Sequence, residues 1–301
     1  MPHQVRPPAS LAHTPTKHFK RTRAGSGLVD IGPADEGIAI VSELDARRTT
    51  ALYNNCWFAG EQSRHLARHL EETNNANRRG FSPASARDIY EFRLRAIPKL
   101  VELFRPMLGT GGLKFVTIIQ PGWYFPVGEL HRADGSAIVK QLEQKLRAIM
   151  RRPGQSNDGV FAGMLEVGLR YDDGGTLAGY QLHVHAVADA IMMKITRCLH
   201  TKQFGLGLEH VKQPLVAPGI LTLERLQSRL GYCLKAQVRG MVLGGRVSQT
   251  TGDSGPTTQH EPDPAVLIEP LLWLDGMSVS DLFIVLGTLD LRSIGRMGRR
   301  Q

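Results

Sequence analysis

The sequence predicts an α+β fold, an antiparallel sheet with helices on one side and helical accessory segments outside the sheet. Three observations lead to this class. Short β-branched and aromatic runs alternate with amphipathic helical runs between residues 113 and 240. Two of the strand-like runs are separated by a Gly/Asp-rich turn, as in a hairpin. The resulting order, β-α-β-β-α-β-α, is typical of an antiparallel sheet on which helices pack.

Four strands are predicted in this part of the chain. The run LKFVTIIQ at 113–120 is apolar on both faces, which is typical of a central strand. GMLEVGLR at 163–170 and YQLHVHAVA at 180–188 form a hairpin around the turn segment YDDGGTLAG. The run LEHVKQPLV at 208–216 is the fourth predicted strand.

Five helices are predicted from apolar residues that recur with the period of a helix: Arg48–Glu72, Ser85–Leu108, 136–152, 189–200 and Thr222–Val238. Gly109 ends the second of these helices. The side chain of Thr222 is a suitable N-cap for the fifth.

The chain divides into five predicted segments: a flexible basic arm at 1–36, a helical accessory region at 37–110, the sheet domain at 111–245, a linker at 246–264, and a C-terminal helical segment with a basic tail at 265–301. The arm and the linker are rich in Pro, Ser and Thr, which do not build a packed core. No internal repeat is visible in the sequence.

The charge balance favours a polyanionic partner. There are 37 Lys and Arg residues against 28 Asp and Glu residues, a formal net charge of +9. Such a surplus favours nucleic acid, because binding to phosphates releases condensed counterions. The charge by itself does not distinguish DNA from RNA or from an anionic membrane surface, and many soluble proteins are mildly basic.

The sequence also predicts a cytoplasmic protein without a membrane contact. No apolar run reaches the roughly 18 residues that span a bilayer, and the N-terminal stretch lacks the apolar segment of a secretory signal. The three cysteines, Cys56, Cys198 and Cys233, are widely spaced and include no CxxC pair. They suit a reducing compartment and argue against a cysteine zinc site.

Two histidines are candidate metal ligands. Side chains alternate between the two faces of a strand, so His183 and His185 share one face of the 180–188 run, while the opposite face is apolar. Two imidazoles on one strand face are well placed to bind one divalent ion. The alternative is that the two histidines are simply exposed polar residues.

Glu166 is the candidate third ligand. It lies on the polar face of the 163–170 strand, between Leu165 and Val167 on the apolar face. In a hairpin whose apolar faces match, Glu166 is expected opposite His183 or His185. A carboxylate beside two imidazoles suits a divalent ion with positions left for a phosphate oxygen and water. The alternative is a carboxylate on the surface of the strand.

Tyr232 is the candidate nucleophile. In the predicted helix Thr222–Val238 it lies opposite the apolar side, on a basic face that also carries Arg225, Ser228, Lys235 and Arg239. Lys235 follows it by three residues and is therefore its neighbour on the helix. Cations beside a phenol favour the phenolate and offset charge in a transition state. The alternative is an exposed tyrosine on a solvated helix.

The histidine and tyrosine motifs occur together in a recognisable order. HVH at 183–185 after a Gly-rich hairpin, followed by YCLK at 232–235 on a helix, resembles the HUH endonucleases, and most closely the single-tyrosine initiators of rolling-circle replication. Relaxases and single-tyrosine transposases are similar to these initiators. FVTII at 115–119 stands where such proteins carry their first strand motif. The resemblance covers residues 113–240.

This resemblance implies an enzyme that cleaves single-stranded or hairpin DNA with the help of Mg²⁺ or Mn²⁺. His183 and His185 would be metal ligands. Tyr232 would form a 5′-phosphotyrosine link and leave a free 3′-OH, while Lys235 would assist at the phosphate. The sequence has no Walker loop, so unwinding of the DNA is expected to fall to a host helicase.

Two other functions are compatible with the same residues. One is a non-catalytic nucleic-acid-binding protein that keeps the fold. The other is a metal-dependent phosphoesterase without a covalent intermediate, in which Tyr232 would be dispensable. A covalent adduct between the tyrosine and DNA separates the endonuclease from both.

Overall fold

The computed structural model describes residues 34–74, 81–110, 112–152, 158–171, 176–200, 215–235, 239–242 and 264–287. Several predicted features lie wholly or partly outside these residues. They are the arm up to residue 33, most of the strand at 208–216, the linker up to residue 263 and the basic tail from 288 onward.

Helices and strands alternate through the described part of the chain. In chain order they are α1 (Ala34–Asn54), α2 (Cys56–Asn74), α3 (Ala86–Phe104), β1 (Lys114–Ile118), β2 (Tyr124–Pro126), α4 (Gly135–Met150), β3 (Phe161–Tyr171), β4 (Leu177–Ala188), α5 (Ala190–His200), β5 (Leu215–Gly219), α6 (Leu223–Cys233), β6 (Arg239–Val242), α7 (Ile268–Asp275), α8 (Val279–Leu282) and β7 (Phe283–Leu286). Among these described helices, none is both long enough and apolar enough to cross a bilayer.

The strands form one sheet around β4. β3 runs antiparallel along one side of β4, and β1 and β2 share the other side. β5 extends the sheet beyond β1, while β6 and β7 share the outer edge of β3. Every pair is antiparallel except β3 with β6. The α+β class with an antiparallel sheet, predicted from the sequence, is therefore confirmed.

The N-terminal helical region differs from its prediction. The single helix expected at Arg48–Glu72 is two helices, α1 and α2, which pack against each other. The break falls at Asn55, whose side-chain Nδ2 donates to the carbonyl of Ala51 at 2.9 Å. An asparagine that bonds to the backbone in this way competes with helix continuation. Gly60, with φ of 56°, then kinks α2 near its start.

The C-terminal segment also differs from its prediction as a purely helical segment. After α7 and α8, the apolar run Phe283–Leu286 becomes β7 and pairs antiparallel with the first residues of β3. Ile284 and Leu286 are 1% exposed. The backbone N–H and C=O groups at the buried edge of β3 need hydrogen-bond partners. The β-branched run supplies these partners as a strand and could not do so as a helix.

One face of the β3–β4 hairpin is entirely apolar. Its side chains are at most 5% exposed: Leu165, Val167, Leu169, Tyr180, Leu182, Val184, Ala186 and Ala188. They belong to the same apolar core as the inner side of α4. This burial holds the register of the hairpin, because a slip by one residue would turn polar side chains into the core.

The opposite face of the hairpin is covered by α3 and α6. Phe92 of α3 meets Phe283 of β7 edge to face, with ring centroids 5.7 Å apart. Phe283 pairs with Met164 of β3, and Met164 pairs with His185 of β4, so α3 packs on the face that carries the histidines. α6 packs on α3 and on β4, which brings its C-terminal turn over this face.

A buried polar junction ties α1 to the start of α3. The Asp45 carboxylate accepts hydrogen bonds from the Ser85 hydroxyl at 2.9 Å and from the backbone N–H groups of Ala86 and Arg87 at 2.7 and 3.1 Å. Arg48 lies 3.5 Å from the same carboxylate, and both side chains are almost completely buried. Asp45 thus supplies both a cap for α3 and a counter-charge for Arg48.

Asp45→Ala is expected to lower the free energy of unfolding by about 3–5 kcal/mol, because it leaves the buried charge of Arg48 and three donors without this acceptor. Denaturant unfolding followed by circular dichroism measures the change. Glu43→Ala is the matched control, since Glu43 pairs with Arg47 on the exposed side of α1 and should cost about 0.5 kcal/mol or less. Equal effects of the two substitutions would contradict the role assigned to Asp45.

Candidate metal centre

The hairpin brings the three predicted ligands together. Glu166 of β3 is the direct register partner of His183 of β4, and His185 lies two residues further along the same face. Nε2 of His183 is 3.6 Å from Oε2 of Glu166, and Nε2 of His185 is 3.8 Å from the same oxygen. One donor atom from each of the three residues lies within 4.8 Å of the others. The three residues therefore form a cluster that could hold a metal ion.

The hydrogen bonds of the imidazoles favour metal binding through Nε2. Nδ1 of His183 is 3.2 Å from the carbonyl oxygen of Gln181. Since a carbonyl only accepts, Nδ1 carries the proton and the neutral ring keeps its lone pair on Nε2, towards Glu166. Nδ1 of His185 is 2.8 Å from the Thr117 hydroxyl, which can accept in the same way. Such partners on the far nitrogen are typical of metal-bound histidines.

The donor set also fits a cation by its separations and by its burial. Metal–ligand bonds of about 2.1 Å hold neighbouring donor atoms about 3.0–3.4 Å apart. The distances from Oε2 of Glu166 to the Nε2 atoms of His183 and His185 are a few tenths of an ångström longer than this. Oε1 of Glu166 is buried and accepts no hydrogen bond from the described residues. Enclosing a carboxylate oxygen in this way is unfavourable unless a cation lies nearby.

Lys235 is one such cation. Its ammonium group forms an ion pair with Oε2 of Glu166, and the side chains of both residues are about nine-tenths buried. The same ammonium lies 4.2 Å from the centre of the Tyr232 ring. Lys235 therefore links the carboxylate of the triad to the candidate nucleophile.

The predicted length of the helix that carries these two residues is wrong. Thr222 is the N-cap, as predicted, but α6 ends at Cys233 and Leu234 is its C-cap, so the helix does not reach Val238. The chain becomes extended again at β6 in order to pair with β3. Lys235 consequently lies beyond the helix, and its contact with Tyr232 is not the helical three-residue neighbour relation that the sequence predicts.

The alternative interpretation of Tyr232, an exposed tyrosine on a solvated helix, does not describe its position. The ring is half-buried and packs edge-on against His185 and Phe115, with centroid distances of 5.0 and 5.4 Å. On the apolar side of α6, Leu226 and Leu230 are buried in the core as predicted, whereas Leu223 in the first turn is exposed. The polar side of α6 near the C-terminus of this helix is covered as well, because it faces the sheet face that carries the histidines instead of solvent. Tyr232 is thereby placed directly beside a candidate metal ligand.

Sequence reasoning missed two residues of β1 that build the site. Thr117 pairs with His185 in the sheet and bonds to its ring, and Phe115 stacks on the same ring at a centroid distance of 5.3 Å. Arg229 of α6 in turn lies 5.3 Å from the centre of the Phe115 ring. The alternation of the 113–120 run places Phe115 and Thr117 on one face, but the sequence does not show which strand lies beside it.

Gly168 was missed as well. A Cβ atom at this position of β3 would lie 3.1 Å from Cε1 of His183, tighter than nine in ten real Cβ contacts. The absence of a side chain therefore leaves room for the imidazole next to Glu166. Nothing in the sequence distinguishes this glycine from the others, because the crowding arises only from the pairing of β3 with β4.

The other tyrosines near the hairpin are placed differently. Tyr180 lies on the apolar face and is 1% exposed, and burial raises the pKa of its phenol far above the ordinary value, with Glu269 raising it further. A neutral phenol enclosed in the core is a poor nucleophile. Tyr124 of β2 is exposed and pairs with Gln181, which puts it on the face of the histidines.

Cys233 lies close to the triad without joining it. The thiol is buried, and burial raises its pKa well above the ordinary value, with the charge of Glu166 raising it further. The group is therefore a protonated thiol, which is a poorer metal ligand than a thiolate.

The donor set by itself allows several reactions. Two imidazoles and one carboxylate leave positions for water and for a substrate oxygen, and this set serves both hydrolytic metal ions and the Fe²⁺ of non-haem oxygenases. A half-buried tyrosine lies against one ligand and a lysine against another, and a phenol and an ammonium are groups that suit an anionic centre such as a phosphate.

Comparisons with known proteins identify no relative of this chain. No protein-family model, no curated protein and no solved structure matches it. The functional evidence therefore lies in the side chains of the site.

Removal of a triad ligand is expected to weaken binding of Mn²⁺ by about 100-fold or more, since even outer-shell partners of metal sites are worth about 10–100-fold. The variants are His183→Ala, His185→Ala and Glu166→Gln, and isothermal titration calorimetry measures the affinity. His65→Ala on the exposed side of α2 is the control and should bind as the unaltered protein does. Undiminished binding by the double histidine variant would contradict the assignment.

Thr117→Val is expected to weaken Mn²⁺ binding by about tenfold, because it keeps the shape of the side chain but removes the hydrogen bond that orients His185. The same titration measures the effect. Thr50→Val on α1, whose hydroxyl donates to the carbonyl of Ala46 in its own helix, is the matched control. An affinity equal to that of this control would show that the hydroxyl does not orient the ligand.

Proposed function

We propose that this protein is a metal-dependent, site-specific single-strand DNA endonuclease and strand transferase of the HUH type, in which Tyr232 forms a 5′-phosphotyrosine intermediate. The observation that carries the proposal is the packing of the Tyr232 ring against His185, 5.0 Å between centroids, within a cluster of three metal-ligand side chains. A nucleophile for phosphoryl transfer and a Lewis-acid site must be adjacent, and the proposal is supported by the contact between the Tyr232 ring and the candidate ligand His185.

The charge of the protein supports a nucleic-acid substrate. The net charge is +9, and Arg229 and Lys235 lie beside the Phe115 and Tyr232 rings at the site. Cations interleaved with aromatic rings are typical of surfaces that bind single-stranded nucleic acid. The proposed substrates are single-stranded or hairpin DNA at an origin of rolling-circle replication, with a host helicase as partner.

The proposed reaction is an exchange of one phosphoester for another. The Tyr232 oxygen forms a bond to phosphorus while the bond from phosphorus to the 3′ oxygen breaks. Tyr232 loses one proton and the departing 3′ oxygen gains one, so charge and atoms balance. The product retains a free 3′-OH and a 5′-phosphotyrosine, and attack by a later 3′-OH on this ester would reverse the exchange and join the strand.

Lys235 has two roles in this proposal. Its ammonium neutralises Glu166, and from its position over the Tyr232 ring its charge can offset the charge that develops on the phosphate in the transition state. The triad would hold Mg²⁺ or Mn²⁺, which when bound polarises the oxygens of the phosphate. Imidazole ligands suit Mn²⁺ better than Mg²⁺, which prefers oxygen donors.

A phosphoesterase without a covalent intermediate is the second candidate. It is favoured by the packing of Tyr232, since a ring held between His185 and Phe115 also serves to position the histidine. In that reaction water attacks the phosphate, and the tyrosine hydroxyl is not consumed.

Tyr232→Phe is expected to fold, to bind Mn²⁺ and single-stranded DNA, and to form no covalent adduct, because it keeps the ring contacts and removes only the attacking oxygen. Incubation with 5′-labelled and 3′-labelled single-stranded DNA and Mn²⁺, followed by a denaturing gel, detects the adduct. Tyr53→Phe on α1, whose hydroxyl bonds to Glu71, is the matched control and should retain the adduct.

The same gels separate the alternatives. Cleavage by Tyr232→Phe without any adduct would establish the water-based phosphoesterase, and an adduct formed by this variant would identify another nucleophile. Binding without cleavage by the unaltered protein would indicate a non-catalytic DNA-binding protein. Lys235→Ala should slow the formation of the adduct without abolishing it, since the nucleophile remains.

A further inference from the structure

Arg170 is a nearly enclosed cation that no carboxylate of the described residues pairs with. It lies near the end of β3 and is 7% exposed, whereas Arg147 on α4 has a side chain 48% exposed and paired with Glu143. Within the described part of the chain, Arg170 donates no side-chain hydrogen bond and forms no ion pair. Burial lowers the pKa of its guanidinium from the ordinary value. Holding an arginine in this way is unfavourable unless an anion binds to it.

Arg170 lies on the same face of the sheet as the metal triad. Alternate residues of β3 share a face, so Glu166, Gly168 and Arg170 form one row. The row spans about 13 Å, four residues at about 3.3 Å each. Gly168 has no side chain, and the His183 ring occupies the space beside it, between the carboxylate and the guanidinium.

An exposed aromatic ring accompanies Arg170. The register partner of Arg170 on β4 is Gly179, and a Cβ atom at that glycine would lie 2.7 Å from the Tyr124 hydroxyl. The phenol of Tyr124 therefore lies over the backbone directly opposite Arg170. Its hydroxyl donates to the carbonyl of Ala178 at 2.9 Å, which fixes the ring, and the residue is 41% exposed.

We propose that Arg170 and Tyr124 form a nucleotide-binding subsite for single-stranded DNA. The subsite lies on the sheet face that carries the metal triad, at the end away from the triad. Arg170 binds a backbone phosphate there, and Tyr124 stacks on a base. The inference rests on the proposed action on single-stranded DNA. A planar guanidinium binds a phosphate through two parallel hydrogen bonds, and a fixed ring stacks on any base. The subsite holds the DNA more than one nucleotide away from Tyr232. It therefore sets the direction in which the DNA crosses the sheet.

The two residues have separable signatures in binding. Replacement of one phosphate contact lowers the slope of log affinity against log salt by about 0.7 for a single strand. Loss of a stacking ring lowers affinity by about tenfold and leaves the slope unchanged, because stacking involves no counterion. A residue that only supports the fold would alter thermal stability without changing the slope.

The experiment measures fluorescence anisotropy of a labelled oligothymidylate of about 12 nucleotides with the full chain, in chelator and at salt concentrations from about 50 to 200 mM. Arg170→Met, which keeps the aliphatic stem, is expected to lower the salt slope by about 0.7 and the affinity by about tenfold. Tyr124→Ala is expected to lower the affinity to a similar extent at an unchanged slope, and Tyr124→Phe, which keeps the stacking ring but loses the hydrogen bond to Ala178, should lose much less affinity. Arg47→Met, on the exposed side of α1, is the control for loss of an arginine.

A folded Arg170→Met variant with unchanged affinity and slope would overturn the subsite, as would full affinity in Tyr124→Ala. Should Arg170→Met fail to fold, Arg170→Lys supplies the test. It keeps the charge and therefore the slope, but loses the paired hydrogen bonds, so affinity should fall several-fold; an unchanged affinity would contradict the proposal.

Failure of the subsite and failure of the proposed function are distinct outcomes. Binding that depends on Arg170 without any tyrosine adduct would leave the subsite and remove the strand-transfer chemistry. An adduct formed on DNA whose binding is indifferent to Arg170 and Tyr124 would leave the chemistry and remove the subsite.

Discussion

The antiparallel pairing of β3 with β4 sets Glu166 directly opposite His183, and the remainder of the site depends on this register. Eight buried apolar side chains on the other face hold it, because a shift by one residue would bury the carboxylate and both imidazoles among them. The pairing of β1 with β4 then adds Thr117 beside His185. A hydrophobic constraint on one face of the sheet thus positions polar chemistry on the other.

Charge is the second organising feature of the site face. Glu166 is buried with Lys235 as its ion-pair partner, and the carboxylate also lies within reach of two imidazoles. With a divalent ion added, the carboxylate, the ammonium and the metal together carry a charge of −1 + 1 + 2, or +2. A positively charged site binds an anion in preference to a neutral ligand. Salt screens this attraction little, because the charges are partly buried. A phosphodiester is an anion of this kind, and the buried guanidinium of Arg170 further along β3 has the same preference.

Elements outside the predicted sheet domain complete the face. α3 contributes core residues and packs on α6, so it supports the turn that carries Tyr232. β7 closes the outer edge of β3 at its first residues, where the sheet would otherwise expose unpaired backbone groups. The site therefore depends on contacts from chain segments far apart in sequence. A loss of stability in α3 or β7 would consequently disturb the geometry of the candidate metal ligands.

The sequence by itself determined the fold class, the strands that carry the ligands and the face on which His183, His185 and Glu166 meet, because strand alternation is a local property with a period of two. It also identified the apolar side of α6 and its N-cap Thr222. Only the tertiary structure decided where α6 ends, that Tyr232 is covered, and that Lys235 pairs with Glu166. Thr117, Gly168 and Arg170 likewise acquire their significance from neighbours on other strands. The physical reason is that periodicity specifies which side of an element is polar, whereas the partner that this side meets is set by long-range packing.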